Sequence, residues 1–434
     1  MIWNERHETL PRDEMAQVQL ERLQATLNRA ERNVTFYRRA LSERGARGDD
    51  MKSLADLARL PFTTKDDLRE SYPYGMFAVP LRDIVRIQST SGTTGSPIVV
   101  GYTRNDIRTW SECVARVLAA GGVTEHDVVQ VAFTYGLFSG GLGFHYGAER
   151  IGASVIPAST GNLEKQVLIM RDFKTTALVC TPSYALAIAA TMEGMGVRPE
   201  ELFLRVGHFG AEPWSEGLRG QLEEKLRITA LDNYGLTEVL GPGVSFECES
   251  KRGLHVNEDH FIVEAIDPGT LSPLPPGTEG EMVFTTITKE GFPLIRYRTG
   301  DLGVISLEPC PCGRTLARMS RVRGRIDDMI IMGATKVFPS QIEQVILGVD
   351  GLAPHYEIVV DRAAGIDILE VRVEISETMP ALDEMKSLEQ ATAKVAQRID
   401  AVLGIKAKVT LVEPQTIARA GGGKIRRVLD KRQI

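Results

Sequence analysis

The stretch Arg86–Val100, RIQSTSGTTGSPIVV, places a run of hydroxyls and glycines between two apolar segments. A phosphate needs several hydrogen-bond donors at close approach. Backbone N–H groups of a glycine-rich turn supply them, and Ser and Thr hydroxyls add more. Ser91, Gly92, Thr93, Thr94 and Gly95 have that character, although a polar turn between two strands reads the same way in isolation. No Gly-Lys-Ser/Thr closes the loop, and G-x-G-x-x-G is absent, so neither a P-loop nor a dinucleotide fingerprint is present.

Further stretches carry groups that handle a nucleotide. NYGLTE, Asn233–Glu238, follows an apolar strand and brings an aromatic plane, a hydroxyl and a carboxylate together. Tyr234 can stack on a base, Thr237 can bond a phosphate and Glu238 can hold Mg²⁺. In RYRTGDL, Asp301 follows a glycine and can accept two ribose hydroxyls. GRIDDMI sets Arg325, Asp327 and Asp328 at a boundary between segments, and GGGKIRR puts Lys424 on a glycine-flexible loop. Each has a plainer reading as core tyrosine, helix cap, surface ion pair or basic tail. Their joint order along the chain favours nucleotide chemistry.

The cysteines form a second constellation. Cys248 and His255 stand in ECESKRGLH, and Cys310 and Cys312 in EPCPCGR. Three thiols and an imidazole from two turns suit a closed, tetrahedral, structural Zn²⁺ site, with unligated thiols as the alternative. Cys113 and Cys180 sit in apolar contexts and read as core.

These groups need a scaffold. The 434 residues are enough for two or three domains, and 43% hydrophobic with 25% charged residues is a globular composition. A net charge of −6 argues against general affinity for nucleic-acid backbone. No apolar run suggests a membrane span, and the charged N-terminus lacks the apolar core of a signal peptide, so a cytoplasmic protein is expected. Residues 11–47 carry helical spacing, and in LPFTTKDDLRE Thr63 or Thr64 caps a short helix. From about 84 to 300 strands such as DVVQVAFTY, ALVCTPS and LRVGHFG alternate with helical stretches, the pattern of a parallel α/β sheet. From about 262 a β-rich subdomain is expected. The last segment reads strand, helix, strand, strand, helix, strand. The fold class is therefore α/β: a large N-terminal domain, 1–326, with parallel or mixed sheets, helices and a β-rich subdomain, and a small mobile α+β C-terminal domain, 327–434.

With these motifs in view, the chain resembles the adenylate-forming superfamily of acyl-CoA synthetases, peptide-synthetase adenylation domains and luciferases. More narrowly it resembles the phenylacetate–coenzyme A ligases. The likeness covers nearly the whole chain and rests on TSGTTGSPIVVGYTRNDI, YGLFSGGLGFHYGAERIGASVIP, GAEPWSE, YGLTEVLGPGVSFEC, GLHVNEDHFIVEAIDP, RYRTGDL and GRIDDMIIMGATKVFPSQIE. It implies that Ser91–Gly95 wrap the ATP phosphates and that Gly210, Ala211 and Glu212 line the adenine site, near Asn233 and Gly235. Tyr234 would stack on adenine, Thr237 touch the α-phosphate and Glu238 bind Mg²⁺. Asp301 would hold the ribose beside Arg325. Asp327 would be a hinge, and Lys424 would reach the carboxylate and α-phosphate. Coenzyme A would lie near Arg325, Gly333 and Lys336.

FTYGLFSGGLGFHYGAER combines aromatics with glycines, which lets a flat ring approach backbone. Tyr135, Phe138, Gly140, Gly141 and Phe144, with Phe209 and Gly210, are expected to line an aryl-acid pocket; a glycine-rich helix packed in the core is the alternative. The reaction requires no nucleophilic side chain, so His145, His208 and His260 are expected to be structural or gating groups. The implied function is ATP-dependent ligation of an aryl acid to CoA through an acyl-adenylate. An adenylyltransferase that makes no use of CoA, and a nucleotide-binding protein without turnover, are the competing readings. Relatives imply a homodimer, and no nucleic-acid or membrane partner is expected.

Overall fold

The computed structural model describes residues 1–90, 97–332, 335–363, 366–376, 384–417 and 427–432. They form two compact units, Met1–Ala211 with Leu222–Arg321, and Glu212–Gln221 with Val322–Ile434.

In the first unit the strands Ser154–Ile156, Val128–Val131, Ala177–Cys180, Val206–Gly210 and Thr229–Leu236 lie side by side in that order, all parallel. Ala177–Cys180 is buried along its whole length, as expected of a strand covered on both faces. The sheet then continues antiparallel through Gly241–Glu247, Leu254–Val256, Arg318–Met319, Tyr297–Ser306, Glu279–Thr286 and Phe261–Ile266. The β-rich segment expected as a subdomain is therefore an extension of the same sheet. The cause is local. The N–H groups of Val239 and Leu240 both bond the Leu236 carbonyl, so the chain reverses at once and pairs with the strand it has just left.

The helix Arg104–Ala120 covers one face. Thr103 caps it reciprocally with Asp106, and the Asp106 carboxylate also accepts the N–H groups of Glu290 and Gly291 at 2.7 and 2.9 Å. Trp110, 1% exposed, stacks on Tyr102 with ring centres 5.2 Å apart and donates to the Pro242 carbonyl at 2.9 Å. Thr64 is the cap of Lys65–Glu70, with Asp67 completing the capping box. Thr63 is buried instead and donates to the Ile295 carbonyl. The helical region at 11–47 is two helices, Arg12–Asn33 and Thr35–Arg44. Buried Val34 breaks them with extended backbone at φ −111°, a conformation its β-branched side chain favours.

The second unit holds the hairpin Ile330–Met332/Thr335–Val337 and a sheet ordered Ala407–Val412, Ile366–Ile375, Leu352–Ala363, Val428–Asp430. The helices Pro339–Leu347 and Glu384–Leu403 belong to it, and its core includes Ile342, Ile346, Ile358, Val371, Val395 and Ile399. The strand Val428–Asp430 pairs in parallel with Leu352–Ala363, in what reads in sequence as a basic tail. No helix among the described residues is long and apolar enough to cross a membrane.

Candidate active site

The C-terminal ends of parallel strands are where open α/β sheets present ligand-binding residues. Here the strand Val206–Gly210 ends beside Asn233 of Thr229–Leu236, with Gly210 opposite Asn233. The approach is close enough to require glycine: a Cβ on Gly210 would lie 2.3 Å from the Asn233 carbonyl oxygen. Asn233 donates to the Phe209 carbonyl at 2.7 Å, which ties the two strand ends together. Ala211 follows at φ +69° and ends the strand sharply. Glu212 falls in the second unit. Gly235 is as constrained, since its Cβ would meet the Gly241 carbonyl at 1.9 Å.

Tyr234 and Asp301, 67 positions apart, are brought together: the Tyr234 hydroxyl donates to Asp301 Oδ2 at 2.6 Å. The Tyr234 ring stacks on Phe284, with centres 5.8 Å apart at 26°. Asp301 is 5% exposed and lies on the strand Tyr297–Ser306 of the antiparallel half. Its position just after Gly300, at φ +75°, matches the Gly-Asp spacing in the sequence.

Thr237 and Glu238 occupy the turn after Tyr234. Thr237 Oγ1 bonds Ser139 Oγ at 2.9 Å. Glu238 is 8% exposed, and among the described residues its carboxylate has one hydrogen-bond donor, the Tyr297 hydroxyl at 3.5 Å. A buried carboxylate with so little compensation suits a hard cation, so the residue fits the expected Mg²⁺ role. Behind the turn lies Lys289, 3% exposed, whose Nζ donates to the carbonyls of Glu238 and Val239. Burial pulls its pKa down to about 7. Tyr102, Ser139 and Tyr297 lie within quoted motifs but carry no spacing signal of their own, and Lys289 lies outside every motif.

The expected acyl-pocket residues divide. Gly140 and Gly141 lie against Phe133 and the Thr134 carbonyl. Phe144 is fully buried and stacks on Phe133 at 6.0 Å. Tyr135 contacts His145 Nδ1 through its hydroxyl at 3.2 Å, and His145 Nε2 in turn faces Glu149 at 3.2 Å. Phe138 is exposed at the helix start. Phe209 is fully buried, with its ring beside Gly207 and Ile228, on the sheet face opposite His208. The helix Ser139–Ile151 does pack closely through glycines, Gly143 on Trp110 and Gly147 on Val114. His208 and His260 are buried and held neutral, at about 3 and about 4, by loss of hydration.

The Cys₃His set is assembled. Cys248, His255, Cys310 and Cys312 bring their donor atoms within 4.8 Å of one another. Cys248 Sγ lies 3.7 Å from Cys310 Sγ, and Cys312 Sγ lies 3.4 Å from His255 Nε2. A tetrahedron with Zn–S near 2.3 Å and Zn–N near 2.0 Å has edges of about 3.8 and 3.5 Å. Those two observed distances are such edges, so the residues fit zinc.

Ser91–Gly95 and Lys424 lie outside the described residues, as does Gly333. Arg325 forms the short strand Gly324–Arg325, and Asp327 follows in the turn Ile326–Asp328. Lys336 lies in the strand Thr335–Val337.

Comparison with known proteins gives the same picture. The AMP-binding enzyme family model matches residues 15–288, and that of the AMP-binding enzyme C-terminal domain matches 334–432. The chain is 45% identical to the phenylacetate-coenzyme A ligase of Thermus thermophilus, covering 100% of both chains. It is 47% identical to the phenylacetate-coenzyme A ligase of Escherichia coli, over 98% of this chain and 97% of that one. A crystal structure of 2-hydroxyisobutyryl-CoA ligase in the postadenylation state superposes with TM-score 0.92 at 32% identity, covering 98% of this chain and 91% of that one. By these matches the chain belongs to the AMP-binding, adenylate-forming enzymes and, within them, to the phenylacetate–coenzyme A ligase family.

Proposed function

We propose that the protein activates phenylacetate or a close aryl acid as its acyl-adenylate and transfers the acyl group to coenzyme A. The observation that supports this best is the Tyr234–Asp301 pair beside Thr237 and Glu238. On this reading Tyr234 offers an aromatic face, Asp301 an acceptor for ribose hydroxyls, Thr237 a hydrogen-bond donor to phosphate and Glu238 a cation ligand.

A carboxylate is a poor acyl donor because its leaving group would be oxide. In the proposed reaction a carboxylate oxygen attacks the α-phosphorus of ATP, the bond to the β-phosphate oxygen breaks, and pyrophosphate leaves. The CoA sulfur then attacks the acyl carbon, AMP leaves, and the thiol proton passes to solvent. Thr237 would bond the α-phosphate, and Glu238 would hold Mg²⁺, which offsets phosphate charge. Lys424 would bring an ammonium to the reacting carboxylate, and Ser91–Gly95 would wrap the phosphates. Gly210, Ala211 and Glu212 would line the adenine site, with Arg325 near the ribose. Tyr135, Phe138, Gly140, Gly141 and Phe144 would surround the aryl ring, whereas the Phe209 ring packs against Gly207 and Ile228 instead.

We divide the chain functionally at 326/327, with Asp327 the hinge of a mobile domain that carries Lys424. On either side of that lysine's segment the second unit is anchored. Ile417 donates to Glu374 at 2.7 Å, and Arg427 pairs with Glu343 at 3.1 Å and covers the Tyr356 ring at 4.3 Å. Zinc at Cys248, His255, Cys310 and Cys312 would be structural, with no open position for chemistry. It would also brace the N-terminus, since Arg314, two residues past Cys312, pairs with buried Glu8 at 2.5 Å and donates to the Met1 carbonyl. A cytoplasmic homodimer completes the reading, and light scattering of the purified chain tests the dimer.

The test of function is pyrophosphate and AMP release with ATP and Mg²⁺ over a panel of aryl and aliphatic acids, with and without CoA. Aryl-acid turnover whose AMP release requires CoA is the expected result. AMP release independent of CoA would indicate the adenylyltransferase instead, and folded protein that turns over no acid would refute both.

A further inference from the structure

A charged lysine fully inside a protein is costly, and a methionine would fill the same space without that cost. Lys289 is nevertheless buried directly behind the turn that carries Thr237 and Glu238. We propose that Lys289 is the positioning residue of that turn, holding its backbone so that the Thr237 hydroxyl and Glu238 carboxylate face the nucleotide and its cation. The proposal rests on the roles given above to Thr237 and Glu238.

The contacts run along consecutive peptide units. Lys289 Nζ donates to the Glu238 carbonyl at 3.0 Å and to the Val239 carbonyl at 2.9 Å. The Tyr102 hydroxyl donates to the Leu240 carbonyl at 2.9 Å, with the Thr237 carbonyl at 3.4 Å. The ammonium also sits over the rings of Tyr102 and Phe292, at 4.9 and 5.1 Å from their centres. Two carbonyls and two aromatic faces thus meet its N–H groups and offset part of the cost of burying it. Its own backbone is fixed next door, where Glu290 and Gly291 donate to Asp106 at the cap of the helix Arg104–Ala120. That helix carries Trp110, which bonds Pro242 on the far side of the turn. The turn is therefore gripped from behind on its carbonyl side. In front, Thr237 Oγ1 is registered by Ser139 at 2.9 Å. Removing the ammonium leaves the carbonyls of Glu238 and Val239 without this donor and frees the peptide planes that aim both side chains.

The test uses the full-length enzyme and phenylacetate-dependent exchange of pyrophosphate into ATP, titrated separately in Mg²⁺ and in phenylacetate. K289M should unfold cooperatively and lose at least about tenfold in exchange rate, the effect of misplacing two contacts made in the transition state. Its half-saturating Mg²⁺ should rise, with the phenylacetate KM kept within about twofold. K289R should recover part of the rate. A lysine with only a structural part would lower the melting temperature and the active fraction and leave both KM values alone. That result, or wild-type kinetics in K289M, overturns the proposal. Should K289M fail to fold, Y102F, which loses the bond to Leu240, should show a smaller loss of the same shape, and unchanged kinetics there overturn it. Wild-type exchange in E238Q would remove the underlying reading of the turn, and with it the proposal, independently of any Lys289 variant.

Discussion

The Tyr234 hydroxyl donates to Asp301 at 2.6 Å, so the residue assigned to adenine positions the residue assigned to ribose. The two should be unequal in energy. Asp301→Ala removes a charged acceptor, a loss of roughly 1.5–3 kcal/mol, and should weaken ATP about 10- to 150-fold. Tyr234→Phe keeps the stack on Phe284 and loses one hydroxyl, and should cost only about two- to tenfold. Calorimetric titration of AMP and ATP measures both. Equal losses, or a larger loss in Tyr234→Phe, would contradict the assignment.

The cysteine cluster predicts zinc at one ion per chain in protein purified without chelator. Cys310→Ser should lose the metal and lower the melting temperature, because metal binding at such a site is coupled to folding. Hydrogen exchange should rise in residues 1–10, since Arg314 links the cluster to Glu8 and Met1. Elemental analysis that finds no zinc would remove the site.

Stability should fall on the acid side because of two histidines. His208 is fully buried, and among the described residues neither ring nitrogen has a partner; burial lowers its pKa to about 3. For His260, burial outweighs the nearby Asp259 and lowers it to about 4. Both values lie below the unfolded value of about 6.5. The stabilising preference is therefore complete above that pH. It is lost as pH falls, down to about 4 for His260 and about 3 for His208, at up to ~1.4 kcal/mol per pH unit for each ring. Urea midpoints at successive pH values measure this, and His208→Gln should flatten the slope by one proton. An unchanged slope in that variant would contradict the account.

The glycines of the helix Ser139–Ile151 serve two ends. A Cβ on Gly147 would lie 2.5 Å from Val114, and one on Gly143 would lie 2.6 Å from Pro242, so Gly→Ala at either should destabilise by about 1–3 kcal/mol. At Gly141 the nearest atom is the Thr134 carbonyl at 3.1 Å, a contact that a small shift of the Tyr135 segment relieves. Gly141→Ala should keep its melting temperature and raise the phenylacetate KM several-fold. Unchanged kinetics would take Gly141 out of the aryl pocket.

What was legible in the sequence was local. NYGLTE, RYRTGDL and the two cysteine turns each hold their reactive groups within a few residues, and the structure brings Tyr234 to Asp301 and the donor atoms of Cys248, His255, Cys310 and Cys312 within 4.8 Å of one another. The alternation of strands and helices marked the parallel half of the sheet. What was not legible depends on packing between distant segments. Val34, buried and with extended backbone, splits a continuous helical pattern, and the β-rich segment joins the main sheet through one tight reversal after Leu236. Phe209, next to Gly210, points to the face opposite His208, because register and not proximity in sequence decides a strand residue's face. Lys289 looks like an ordinary charge before a glycine turn until Tyr102, from 187 positions earlier, is seen beneath its ammonium.

An acyl-adenylate intermediate is tested most directly by the fate of the carboxylate oxygen. Phenylacetate labelled with ¹⁸O in its carboxyl group is turned over with ATP, Mg²⁺ and CoA, and the products are weighed by mass spectrometry. Attack on the α-phosphorus places one ¹⁸O atom in the phosphate of each AMP and none in pyrophosphate. Label in inorganic phosphate with ADP as the nucleotide product, or unlabelled AMP, would contradict the account.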